Sequence, residues 1–167
     1  FVVAPGASRV KNHLLGDGTP SRVRVHFAEQ VHARGTADAV RAAARLVAGR
    51  PFIVINGDNL YPVDALEHLA RLGGPGLVAF ERDALVASSG FTADRVAAFA
   101  LVEVDPQGAL RDVIEKPTTG RIAGARQPPL VSMNCWRFDR RIVEACDVTP
   151  ISERGEIEIP AAVRLAM

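Results

Sequence analysis

Phe52-Ile53-Val54-Ile55 runs without a break into Asn56-Gly57-Asp58. Four consecutive apolar residues fit a strand covered on both faces, as parallel sheets require. A glycine and a carboxylate at its end carry negative charge beyond the sheet, where open α/β sheets bind ligands. A helical period appears on either side of this run. Upstream, residues 36–48 place Ala37, Val40, Ala44 and Val47 on one face and Asp38, Arg41 and Arg45 elsewhere, and Gly49 fits the stop. Downstream, residues 63–72 predict a second helix closed by Gly73-Gly74-Pro75, and Leu77-Val78-Ala79-Phe80 predicts another buried strand. This alternation of strand and helix predicts an α/β fold: a Rossmann-like, mixed but mostly parallel sheet with helices on both faces.

Further out, Phe1-Val2-Val3-Ala4 reads as the end of a short strand, and Ser8 as the N-cap of a helix through Leu15. A loop follows over 16–21, then an alternating strand over 23–27. After residue 96 the texture changes. Strands are expected over 97–104, 109–115 and 130–138, with Asp105-Pro106-Gln107-Gly108 as a hairpin turn. Helices are expected over 140–146 and 157–166, with Pro160 in the first turn of the latter, and 118–129 reads as a polar loop. The expected organisation is one domain over 1–167, in two halves at 1–96 and 97–167.

Composition narrows the class. The chain is 48% hydrophobic and 23% charged, ordinary for a globular domain, with a formal net charge of +1. A balance so near neutral lacks the clustered base of a nucleic-acid binder. No apolar run approaches membrane-spanning length and no signal peptide is visible. Cys135 and Cys146 lack metal-ligand spacing and fit buried thiols in a reducing, cytoplasmic compartment. His13, His26, His32 and His68 are scattered. Self-association is left open.

Three segments carry chemistry. Gly35-Thr36 opens a helix, where free N–H groups suit an anion or polar heterocycle, and the amide of Gln30 can read a nucleobase edge. Taken alone, the same residues fit a plain helix start and a surface amide. Asp58, braced by Asn56 and Gly57, can hold Mg²⁺ against phosphate oxygens, although an Asp after Gly also fits an ordinary turn. Glu115-Lys116-Pro117 offers a carboxylate for hydroxyls and an ammonium for phosphate, or a solvated strand end.

In combination these segments resemble the sugar-1-phosphate nucleotidylyltransferases, or NDP-sugar pyrophosphorylases. Gln30 with Gly35-Thr36-Ala37-Asp38-Ala39-Val40, then Ile55-Asn56-Gly57-Asp58, then Val113-Ile114-Glu115-Lys116-Pro117 stand in that family's order. Met133-Asn134-Cys135-Trp136-Arg137-Phe138-Asp139 is similar to its strand leading into a helix, and Gly155-Glu156-Ile157-Glu158 to its later acidic segment. The resemblance implies transfer of a nucleotidyl group from a nucleoside triphosphate to a sugar-1-phosphate, with release of pyrophosphate. It implies Gln30, Gly35 and Thr36 at the nucleotide, Asp58 on Mg²⁺, Lys116 on the sugar phosphate, and Glu115, Ser132 and Asn134 at the sugar. Catalysis would then be positioning and charge neutralisation, with Asp58 and Lys116 in the leading roles.

The chain also departs from the family pattern. The family's N-terminal strand and glycine-rich triphosphate loop have no counterpart, so the chain reads as a fragment that is inactive alone. No second metal carboxylate is evident beyond Glu156 and Glu158. Phe99-Ala100 replaces a glycine-bearing sugar contact, and Ser132-Met133-Asn134 replaces the common Asn-Ala-Gly. A non-catalytic nucleotide-sugar-binding relative and a glycosyltransferase of related fold are the competing expectations. The lack of a GxGxxG turn after a strand argues against an NAD-binding oxidoreductase.

Overall fold

The computed structural model describes residues 1–16, 18–125 and 127–167. In chain order the elements are β1 (Val2–Val3), α1 (Ser8–Leu15), β2 (Ala28–Glu29), α2 (Thr36–Ala42), α3 (Ala44–Val47), β3 (Phe52–Val54), α4 (Val63–Arg71) and β4 (Gly76–Glu81). They continue as α5 (Arg82–Ser88), α6 (Ala93–Ala97), β5 (Ala100–Val104), β6 (Leu110–Ile114), α7 (Thr119–Ala123), β7 (Leu130–Phe138), α8 (Arg140–Val148) and α9 (Ile159–Ala166). The fold is mixed α/β, as expected. The chain forms two compact units, one of Phe1–Arg50 with Arg140–Met167 and one of Pro51–Asp139.

In the first unit, β1 and β2 pair in parallel, with Val2 opposite Ala28. Helix α2 packs on α8, and α8 on α9. Their shared core holds Ala37, Val40, Ile142, Cys146, Ile159 and Ala162, all buried. The segment before α9 is stitched to the start of α2: Ile157 N–H donates to Arg34 O (2.6 Å), and Ala37 N–H donates to Ile157 O (2.9 Å).

The second unit is a five-stranded sheet organised on β7. Val54 and Leu77 both face Trp136, so β3 and β4 lie on opposite edges of β7. Ala79 and Ala100 both face Ser132, so β5 lies on the same edge as β3, further along. Strand β6 pairs with β5 through the turn at Asp105, whose carbonyl accepts from Gly108 N–H (3.0 Å). Trp136 is buried and stacks on Phe138, with ring centroids 5.5 Å apart.

Several expectations are corrected. Pairing in this sheet is antiparallel in every ladder between described strands, rather than mostly parallel. The reason is that β7, the longest strand, sits between β3 and β4 and runs against both. Strand β3 is half covered: Ile53 and Ile55 are 38% and 46% exposed, because alternate residues face opposite sides of a pleated strand. The strand expected over 23–27 forms at Ala28–Glu29 instead. Its partner β1 is only two residues long, and the register fixes where the ladder falls. The expected strand over 97–104 starts at Ala100, since the Thr92 hydroxyl caps α6 by accepting from Arg95 N–H (3.3 Å). Likewise, Thr118 accepts from Arg121 N–H (3.3 Å) and starts α7 inside the expected 118–129 loop. Helix 36–48 is interrupted at Ala43. Ser8 is the first residue of α1 rather than its N-cap. In the loops expected at 16–21 and 118–129, Asp17 and Arg126 lie outside the described residues.

Candidate functional site

In the second unit, the chemistry-bearing segments gather around one irregularity of β7. Two residues on from Leu77, Ala79 faces Ser132, which is four residues back from Trp136. The additional residues of β7 form a bulge centred on Asn134, whose φ of 58° is left-handed. Asparagine tolerates that conformation better than most residues. The bulge is also where the shared edge of β7 passes from β3 to β5. Strand β3 runs toward it, because Phe52 faces Phe138 and Val54 faces Trp136. Strand β5 starts beside it, with Ala100 opposite Ser132, and β6 runs back toward it, with Ile114 opposite Leu101. The carboxyl ends of β3 and β6 therefore point at the same stretch of β7. Asn56-Gly57-Asp58 leaves one of them and Glu115-Lys116 the other.

Tyr61 fastens the first of these loops to the bulge. Its hydroxyl donates to Met133 O (2.7 Å) and accepts from Asn56 N–H and from Asn59 Nδ2, both at 3.2 Å. One donor and two acceptor sites exhaust a phenol's capacity. The ring packs on the cluster of Leu85, Val96, Val131 and Met133. Nothing in the sequence singles out Tyr61, because its key partner lies 72 residues away.

At the bulge, Ser132 Oγ accepts from Asn134 N–H (3.1 Å), and Asn134 Oδ1 accepts from Trp136 Nε1 (3.3 Å). Ser132 is only 6% exposed and braces the bulge from within, while Asn134 is half-buried and carries amide hydrogens that a ligand can use. Trp136 thus combines a core role with a polar contact to the site. Lys116 is exposed with φ of 44°, a left-handed turn that breaks the line of β6. Asp58 is also exposed. Among the described residues neither Asp58 nor Lys116 has a hydrogen-bond or ion-pair partner, whereas Glu115 is engaged within the protein.

In the first unit, Gln30, Gly35 and Asp38 form a second cluster. Gln30 Nε2 donates to Gly35 O (3.0 Å) and to Asp38 Oδ2 (3.1 Å). Asp38 Oδ1 accepts from Arg34 Nη2 (3.1 Å) and Arg41 Nη2 (2.7 Å). Asp38 is only 5% exposed, a correction to its expected place away from the helix's buried face. Burial alone would raise its pKa. The hydrogen bond from Gln30 and the two guanidinium groups outweigh that effect and hold the carboxyl below its ordinary value. Gln30, Arg34, Asp38 and Arg41, with Glu29, Val31, His32 and Ala42, line a cavity of about 230 Å³.

Gly35 sits at φ of 98°, and a Cβ there would lie 2.7 Å from Ile157 O. The room created by this glycine is filled by the chain's own backbone, not left for a ligand. The Thr36 hydroxyl accepts from Ile159 N–H (3.1 Å), so it caps α9. Glu156 and Glu158 both pair with Arg154, at 3.2 and 3.0 Å. Among the described residues, no three His, Cys, Asp or Glu side chains converge as a metal site, and no helix is long and apolar enough to cross a membrane.

This architecture is a recognised one. The chain matches the Nucleotidyl transferase family over residues 1–167, and it belongs to that family. It is 30% identical over 149 residues to a glucose-1-phosphate thymidylyltransferase of Actinoplanes sp., covering 87% of this chain and 44% of that protein. It is 26% identical over 156 residues to the bifunctional protein GlmU of Methanocaldococcus jannaschii, covering 93% of this chain and 33% of that protein. The chain therefore spans less than half the length of either relative. A UDP-glucose pyrophosphorylase solved with UDP-glucose shares the fold, with a TM-score of 0.65 at 16% identity over 95% of this chain and 60% of that one. A Bacillus anthracis protein solved with sucrose superposes with a TM-score of 0.69 at 17% identity, over 99% of this chain and 61% of that one.

Proposed function

We propose that the protein transfers a nucleotidyl group from a nucleoside triphosphate to a sugar-1-phosphate and releases pyrophosphate. The observation that carries this reading is the convergence of the β3 and β6 carboxyl ends on the β7 bulge. The loops that leave those two strand ends carry the carboxylate of Asp58 and the ammonium of Lys116, neither with a partner among the described residues. Family membership supports it. In the reaction, a phosphate oxygen of the sugar-1-phosphate forms a bond to the α-phosphorus. The bond from that phosphorus to the bridging oxygen breaks, and pyrophosphate departs with the electron pair.

Lys116 offsets charge on the sugar phosphate and holds it for in-line attack. Glu115 and Asn134 orient the sugar through its hydroxyls, with Ser132 bracing the Asn134 backbone from within. Within the first unit, Gln30 meets the base, while Gly35 and Thr36 hold the segment before α9 against the start of α2. Asn56 and Gly57 present Asp58. Asp58 suits Mg²⁺: it is a hard oxygen donor with no competing cation, and Mg²⁺ takes few protein ligands and completes its shell with phosphate oxygens and water. Bound Mg²⁺ supplies neutralisation of the triphosphate charge. Buried, unpaired Cys135 and Cys146 fit a reducing cytoplasm, where both substrates occur.

The test is pyrophosphate release by the full-length protein with nucleoside triphosphate, sugar-1-phosphate and Mg²⁺, each omitted in turn. Release only when all three are present supports the reading. Release without the sugar-1-phosphate, or none with any pairing of nucleotide and sugar, contradicts it.

A further inference from the structure

The Gln30 amide lies between two groups that can only accept. Gly35 O is a carbonyl, and Asp38 is an ionised carboxylate fixed by Arg34 and Arg41. Turning the amide over would set its oxygen against both acceptors, so its orientation is dictated by chemistry rather than by choice. Both N–H bonds are spent inside the protein. Oε1 is then the one polar side-chain atom of Gln30 with no hydrogen-bond partner among the described residues, on a residue that lines the 230 Å³ cavity.

We propose that Asp38 is a specificity-positioning residue: by committing the Gln30 amide protons, it makes Gln30 an acceptor only, so the site takes a nucleobase whose ring nitrogen carries a hydrogen. Uracil, thymine and guanine present such an N–H beside their carbonyls. Adenine and cytosine present a bare ring nitrogen at that position, and they can donate to Oε1 only through the neighbouring amino group, which requires the base to shift sideways in the site. The usual two-bond pairing of a glutamine amide with adenine needs an N–H that Gln30 has already used. This inference rests on the nucleotide reading of the site. Asp38 does not touch the base; it acts through Gln30.

The experiment titrates the protein with UTP, TTP, GTP, ATP and CTP in the presence of Mg²⁺, then repeats the tightest with its ring N–H methylated. At least one of UTP, TTP and GTP is expected to bind about tenfold or more tightly than ATP and CTP, the factor for about 1.4 kcal/mol. Methylation is expected to abolish the advantage. In Asp38→Asn, Arg34 and Arg41 keep the remaining side-chain oxygen, and the new amide group faces Gln30 with hydrogens. Gly35 O still favours the original orientation, so the Gln30 amide is no longer fixed either way and the methylation penalty falls below its wild-type value. A merely structural role for Asp38 would weaken all nucleotides alike and leave that ratio unchanged. Gln30→Met, which keeps the side chain's length without its amide, gives the same loss of ratio if Asp38→Asn does not fold. ATP or CTP binding tightest, equal binding by the methylated nucleotide, or a full ratio in both variants overturns the proposal alone. No binding by any triphosphate overturns the nucleotide reading and the proposal together.

Discussion

Replacing Tyr61 by phenylalanine deletes one oxygen and keeps the ring that packs on Leu85, Val96, Val131 and Met133. That oxygen makes three bonds, to Met133 O at 2.7 Å and from Asn56 N–H and Asn59 Nδ2 at 3.2 Å. The Asn59 amide can turn to water at small cost. Met133 O and Asn56 N–H are backbone groups in partly buried places, and their desolvation is no longer repaid. Each lost hydrogen bond of this kind is worth about 0.5–1.5 kcal/mol, so the change should cost about 1–3 kcal/mol. For a chain of this size, a loss of 1 kcal/mol lowers the melting temperature by about 2–4 °C. The local signature is sharper. Exchange of the Asn56 amide proton should accelerate about tenfold or more, while amides at the centre of β5 follow only the global change. Thermal melting and residue-resolved hydrogen exchange read both effects. An unchanged melting temperature with wild-type protection at Asn56 would refute the idea that Tyr61 fastens the Asp58 loop to β7.

Gly35→Ala should destabilise the protein by about 2 kcal/mol or more, since the residue sits at φ of 98° and the new methyl would meet Ile157 O at 2.7 Å; chemical denaturation measures it. The lowered Asp38 pKa means that its carboxylate adds stability above its unfolded pKa, and that this stability fades as pH falls through the folded value. Asp38→Asn should therefore be less stable than wild type at pH 7, with the gap narrowing below about pH 4; a gap independent of pH would contradict the ion-pair account. Burial, reinforced by Asp147 and Asp38 against Arg41, pushes the Cys146 thiol up to about 12, and burial raises Cys135 as well. Both should resist a thiol reagent at pH 8 in the folded protein and react at the rate of unfolding.

What could be read in the sequence was local. The apolar run before Asn56 announced β3, and Asp105-Pro106-Gln107-Gly108 announced the hairpin, because periodicity and turn chemistry are written in neighbouring residues. Strand β7 was equally visible as an element. Its place between β3 and β4, which makes their ladders antiparallel, was not, since a strand's pattern of residues does not name its partners. The site divides in the same way. Asp58 and Lys116 stood out by residue type at strand ends. Asp38 was placed off the apolar face of its helix, and only its convergence with Gln30, Arg34 and Arg41 shows why it is buried. Tyr61 gave no signal because its role depends on Met133. Short capped helices such as α6 and α7 were also missed. A lone threonine before a few polar residues is a weak cue against the noise of a loop.

The account stands or falls on the carboxylate of Asp58. Steady-state pyrophosphate release, measured with saturating nucleoside triphosphate, sugar-1-phosphate and Mg²⁺, compares the wild-type protein with Asp58→Asn. Loss of charge at an exposed, unpartnered residue should leave the melting temperature unchanged and lower the rate by about 10²–10³-fold, as removal of a key electrostatic group does. A variant that turns over at the wild-type rate, with the same Mg²⁺ requirement, would contradict it.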